Sequence, residues 1–302
     1  VRRPILLLVF CNVVGGLTYS WQKTALAGLP PATMTCLRSL VGLSLMALFL
    51  LVRREPLWPF ERRETGRLAL LGTLGLAVPL LVGAEGVRLS TAANASILIL
   101  LEPPSVVFFA WLLLRERVGA RRAFGIALGL AGAFAVVTEG ATSGATLLRG
   151  EHLPGNLLLA ASGILWGLYS PLMKPLVERR SAVVTTLGAM LFAVLLFAPF
   201  VAVELSGWRP GPEFGRALTA TLLLGVVASF LGTVLWTLAL RDVPASAVAP
   251  LILIQPVVGA AAGMLFHGER VTLQAAVGGA LVAVGALVAE TGSAGPVQSI
   301  EP

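Results

Sequence analysis

The sequence predicts an all-α integral membrane protein of ten transmembrane helices, arranged as two inverted five-helix repeats around a central cavity. Three observations predict it. The 302 residues are 57% hydrophobic and only 12% charged, whereas a soluble domain carries roughly 25% charged residues; water does not solvate such a surface. Apolar runs of about 20 residues, the length that crosses a bilayer, recur ten times. The second half of the chain also echoes the first at a near-constant offset. A membrane accounts for the net charge of +7 without nucleic acid, because basic residues gather in loops at the cytoplasmic face.

The first span, 4–25, begins VRRPILLL, and Ala25-Leu26-Ala27 imitates a signal-peptide cleavage site. Its apolar run is longer than a signal core, and the pattern returns in mid-chain, so it reads as a span. Asn12, Gly16, Tyr19 and Lys23 are spaced 4, 3 and 4 apart and share one helical face. The second span, 32–52, holds Arg38 inside its apolar run, and the third, 66–86, holds Pro79. The fourth, 91–114, sets Glu102 near its middle, directly before Pro103 and Pro104. Thr91, Asn94, Glu102 and Ser105 share a face, and a polar stripe on an apolar helix points to a water-filled cavity or a helix contact. The two prolines lack an N–H and crowd the carbonyls of Ile99 and Leu100, so this helix is expected to kink or break there. The fifth span, 119–138, carries Gly125 and Gly129 at a spacing that admits close helix packing.

Residues 139–153 form the expected connecting loop between a first repeat at 1–138 and a second at 154–290. The sixth span, 154–176, contains Trp166, Tyr169 and Lys174; the seventh is 181–204, and the eighth, 214–240, contains Trp236. The ninth, 244–267, places Gln255-Pro256 where the fourth has Glu102-Pro103, with the same effect expected on Ile252. The tenth is 271–290, and the small, polar tail at 291–302 is expected to be disordered. The offset is 151 early, where Gly16-Leu17 matches Gly167-Leu168, and 153 later, where Glu116-Arg117-Val118 matches Glu269-Arg270-Val271. With five spans per repeat, the second copy enters the membrane from the opposite side. A cytoplasmic N-terminus puts fourteen arginines in inside segments and five outside. The bias predicts a multi-pass plasma (inner) membrane protein with both termini cytoplasmic.

Interrupted helices at matching places in inverted halves point to a midplane substrate site. The candidate contacts for a small-molecule substrate are Tyr19, Asn94, Glu102, Trp166, Tyr169, Trp236 and Gln255, and the candidate hinges are Pro79, Pro103, Pro104 and Pro256. The aromatic residues can stack on a ring or embrace a cation. Lys23, Arg38 and Lys174 either snorkel to a nearby interface or serve as charge partners, to a substrate carboxylate or to Glu102. Glu102 leaves proton coupling open. Glu116 and Glu269 lie near the starts of the fifth and tenth helices, where negative charge suits the helix dipole. His152 and His267 make no metal constellation, Cys11 and Cys36 read as packing residues, and no cofactor is expected. Neither a phosphate-binding Gly-x-x-x-x-Gly-Lys-Ser/Thr loop nor a Gly-x-Ser-x-Gly nucleophile motif occurs, so the chain does not read as an ATP-driven pump or an enzyme.

Residues 95–137, ASILILLEPPSVVFFAWLLLRERVGARRAFGIALGLAGAFAVV, resemble the fourth-to-fifth helix signature of EamA-type members of the drug/metabolite transporter superfamily. Residues 249–288, APLILIQPVVGAAAGMLFHGERVTLQAAVGGALVAVGALV, resemble its second copy, with Gln-Pro as a variant of Glu-Pro. The resemblance covers about 4–290. It implies ten helices in two inverted repeats, alternating access, and export of amino acids or other small metabolites and drugs, with the aromatic amino acid exporters as a closer group. Two alternatives stay open. A phosphorylated-metabolite or nucleotide-sugar antiporter of the same superfamily needs basic residues converging on the cavity, and a lipid-acting intramembrane enzyme needs a catalytic constellation around Glu102. Both a monomer and a homodimer fit the sequence.

Overall fold

The computed structural model describes residues 2–114, 119–137, 151–177, 179–235 and 254–291. Most of the connecting loop, the tail, Trp236, the first part of the ninth span and Glu116-Arg117 lie outside the described residues. The described residues form ten helical spans and no strand. In chain order they are α1 (Arg2–Leu26), α2 (Pro31–Val52), α3 (Arg62–Leu89), α4 (Ala92–Leu98 and Glu102–Leu114, joined by Ile99–Leu101), α5 (Ala120–Val137), α6 (Leu153–Val177), α7 (Ala182–Gly207), α8 (Phe214–Leu235), α9 (Ile254–His267) and α10 (Leu273–Thr291). Helices α2, α3, α6, α7 and α8 are each long and apolar enough to cross a membrane, and α4, α5, α9 and α10 supply shorter apolar helices. Leu265 is 79% exposed and Val203 74%. Such surface is stable in hydrocarbon and costly in water.

Two pairs of contacts display the inverted repeat. Gly132 of α5 lies against the Gly278 carbonyl of α10, and Gly285 of α10 lies against the Gly125 carbonyl of α5. An offset of 153 converts each contact into the other, as a two-fold relation between the halves requires. A Cβ on Gly132 would sit 2.5 Å from the Gly278 oxygen, so only glycine admits this approach.

The second pair is a π-helical stretch in each half, Leu71–Ala77 in α3 and Leu224–Gly232 in α8. Their starts again differ by 153. Gly72 packs on the Ala189 carbonyl of α7, and Gly225 packs on the Arg38 carbonyl of α2. π-Turns widen the helix and often mark functional places. Both lie inside runs that the apolar pattern reads as continuous α-helix.

Helix α4 leaves the α conformation through the 3-10 turn Ile99–Leu101, where the Glu102 N–H donates to the Ile99 carbonyl. Pro103 and Pro104 therefore occupy the first turn of the next helix, where the missing N–H groups have no intrahelical partner to lose. The interruption lies just before the prolines, and one of the two carbonyls expected to be free is bonded. Helix α6 is also interrupted, at Gly167–Leu168 between Trp166 and Tyr169.

Candidate functional site

The site is built outward from the junction of α1, α4 and α9. Gly16 of α1 faces the backbone of α9, where a Cβ would lie 2.7 Å from the Gln255 carbonyl oxygen. That approach lets Gln255 Nε2 donate to Asn12 Oδ1 at 2.9 Å. The Pro256 carbonyl accepts from the Ser96 hydroxyl at 3.5 Å, tying α9 to α4. The repeat relates Asn12 to Gly163 and Gln255 to Glu102. Gly163 packs on the Leu98 carbonyl and Leu101 and has no side chain to offer. Among the described residues nothing hydrogen-bonds the Glu102 carboxylate.

Arg38 is buried, and Tyr19, Glu102 and Tyr169 are half-buried. Tyr169 Oη is 3.5 Å from Thr186 Oγ1, and Trp166 stands edge-on to the Tyr169 ring at 6.1 Å and 61°. Arg38 Nε donates to Ser229 Oγ, in the π-helical stretch of α8, at 3.3 Å.

At the end where α1 finishes, here the far end, polar bonds close the helices together. Lys23 Nζ donates to the Val87 carbonyl at 3.1 Å and to that of Ser90. A cation on the last carbonyls of α3 completes that helix terminus. The sequence places Glu269 at the start of α10. Its carboxylate instead accepts from the N–H groups of Ala92 and Ala93, the first turn of α4, at 2.8 and 3.0 Å. Lys23 and Glu269 thus hold the two sides of the α3–α4 turn. Asn156 Oδ1 accepts from Ser90 Oγ and from Asn94 Nδ2, and His267 Nε2 lies 3.0 Å from the Ser20 hydroxyl. A cleft of about 630 Å³ also opens at the far end, lined by the α1–α2 and α7–α8 connections. Its Glu85 pairs with Arg88, and its Glu204 accepts from the Ala32 and Thr33 N–H groups, so these charges are already satisfied.

The structure packs Tyr19 against the core cluster that holds Leu98, Leu100 and Leu101 of α4, bonds Arg38 to Ser229, sets Trp166 edge-on to Tyr169 and ties Gln255 to Asn12. It places Asn94 and Lys23 in the far-end network. Lys174 lies on the second half of α6, and Trp236 is outside the described residues. Pro79 follows the π-helical stretch of α3, and its carbonyl accepts from Ser162 Oγ at 2.8 Å. Sequence reasoning missed Ser229, Asn156 and both π-helical stretches. The one signal available was the Leu-Gly pair repeated at 71–72 and 224–225.

The model of the EamA-like transporter family matches this chain twice, over residues 2–138 and 153–291. The chain is 26% identical over 300 residues to an uncharacterised transporter of Bacillus subtilis, YvbV, covering 96% of this chain and 92% of that one. It is 27% identical over 227 residues to a probable terminal-alkyne amino-acid exporter of Streptantibioticus cattleyicolor, covering 75% and 73% of the two chains. A crystal structure matches the fold with a TM-score of 0.63 at 21% identity, over 94% of this chain and 95% of the other. With two copies of the family's domain spanning nearly all of its described helices, the chain belongs to the EamA-like transporter family.

Proposed function

We propose that this transporter is a secondary-active exporter of amino acids, aromatic ones among them, working by alternating access in the plasma (inner) membrane with both termini cytoplasmic. The observation that carries the reading is the set of polar and aromatic side chains inside the helical bundle: buried Arg38 bonded to Ser229, Glu102 without a hydrogen bond among the described residues, and Trp166 edge-on to Tyr169. A relative named as a probable amino-acid exporter supports the substrate class. The far-end bonds through Lys23 and Glu269 hold the cavity shut on one side. Export requires them to break while contacts at the other end form. A phosphorylated metabolite fits less well, because Glu102 repels it and Lys23 is held on backbone carbonyls.

A ligand that binds the folded state raises its stability, by about 2.7 kcal/mol at 100 times Kd. The purified full chain should therefore melt higher with phenylalanine, tyrosine or tryptophan than with sugar phosphates or nucleotide sugars. Stabilisation by the phosphorylated compounds alone would move the reading to the antiporter.

A further inference from the structure

We infer that the outward face at the start of α3 binds an anionic phospholipid, with Arg63 and Arg67 on its phosphate and Leu70 and Leu74 along its acyl chain.

The chain is α-helical over Arg62–Leu70. Arg67 follows Arg63 by four residues and Leu70 follows Arg67 by three. Such neighbours share a helical face, with Cβ atoms about 5–6 Å apart. Both arginines are exposed, Leu70 is 45% exposed, and Leu74, one turn on, is 43% exposed. A Cβ on Gly66, beside Arg67, would meet nothing within 4 Å, so no other described helix covers this face. The opposite face fixes how the helix is turned. Leu68 and Leu71 are fully buried in a cluster with Met173, Leu176 and Ala189. The Glu64 carboxylate accepts from Arg180 Nη2 and from the Glu61 N–H, each at 3.1 Å.

Leu70 and Leu74 are stable in hydrocarbon, whereas a guanidinium is not. Arg67 precedes Leu70 by about 4.5 Å along the helix axis. The edge of the hydrocarbon therefore falls between them, and both arginines reach headgroup depth. Inside the protein they have no work. Among the described residues no ion pair or side-chain hydrogen bond joins either one to a partner. Arg63 also lies in the first turn of its helix, where a cation opposes the helix dipole. Guanidinium groups match phosphate oxygens bidentately. A soluble anion answers the arginines alone, and an apolar molecule answers the leucines alone. A phospholipid answers both, and an anionic one brings no headgroup cation for the arginines to repel. The other half offers a comparison. The offset of 153 takes Arg63 and Arg67 to Arg216 and Ala220, and Ala220 is buried, so the arginine pair is not repeated at the other end.

The test is native mass spectrometry of the full chain in detergent with equal amounts of dioleoylphosphatidylglycerol and dioleoylphosphatidylcholine. The anionic lipid should be retained on the order of 10-fold more strongly, as two basic residues near its charge imply. Excess glycerol 1-phosphate, the headgroup chemistry without the acyl chains, should not displace it. Arg63→Gln with Arg67→Gln should bring the two lipids within about 2-fold of each other, and Arg216→Gln should leave the preference unchanged. Equal retention of both lipids by the wild-type chain overturns the inference. So does displacement by glycerol 1-phosphate, which would mark a site for free phosphate. So does an equal loss in Arg216→Gln, which would assign the preference to net charge. Should the double variant not fold, Arg67→Gln alone decides: an unchanged preference there overturns the inference as well.

Discussion

Glu102 and Gln255 hold matching places in the two repeats and differ by one ionisable group. A charged side chain at mid-bilayer costs about 2.5–3.5 kcal/mol by insertion scales, and the fold tolerates an amide at the equivalent place. Glu102→Gln should therefore leave the melting temperature unchanged or raised, while transport falls on the order of 10-fold or more. Equal losses of stability and transport would make Glu102 a structural residue. Glu269 acts at the far end through two charge-assisted bonds to the start of α4. Glu269→Ala removes roughly 2 kcal/mol from the closed arrangement. A cysteine replacing Ser96, which is fully buried in the α4–α9 contact, should then react with an impermeant maleimide on the order of 10-fold faster. An unchanged rate would show that these bonds do not hold the far end shut.

Helices and their order were legible because lipid demands long apolar runs and punishes unsatisfied backbone. The break at Glu102 was legible from Pro103 and Pro104, though its position shifted by a few residues because prolines fit the first turn of a helix. The π-helical stretches were not legible, since an N–H that reaches five residues back leaves no mark in composition. Glu269 was misplaced for another reason: its partners lie 177 and 176 residues away in sequence. Two predictions belong to this scale. Deleting Thr73 should convert Leu71–Ala77 to plain α-helix with the flanking turns kept in register, because a π-turn absorbs one extra residue. The protein should stay folded in detergent and lose transport, and retained transport would make the π-turn incidental. Gly132→Leu and Gly285→Leu should each cost about 1–3 kcal/mol by overpacking the α5–α10 contact. By symmetry the two losses in detergent melting should be similar, and a loss at only one site would contradict the two-fold relation.

At the scale of the molecule, the two halves share their packing and divide their chemistry. Reciprocal glycine contacts and paired π-helical stretches keep the inverted frame. Arg38 and Glu102 belong to the first half, and the second half has Ala189 and Gln255 at the matching places. The arginine bias that predicts cytoplasmic termini also comes almost wholly from the first half. Fluorescent reporters at the two termini should both report the cytoplasm, and a terminus found outside would reverse the assignment of the far end. The most direct test of the account is counterflow in proteoliposomes preloaded with unlabelled phenylalanine. Labelled phenylalanine should accumulate transiently in vesicles carrying the full chain and not in empty ones, with the signal lost in Glu102→Gln. Accumulation no faster than in empty vesicles, for phenylalanine and for every other amino acid tried, would contradict it.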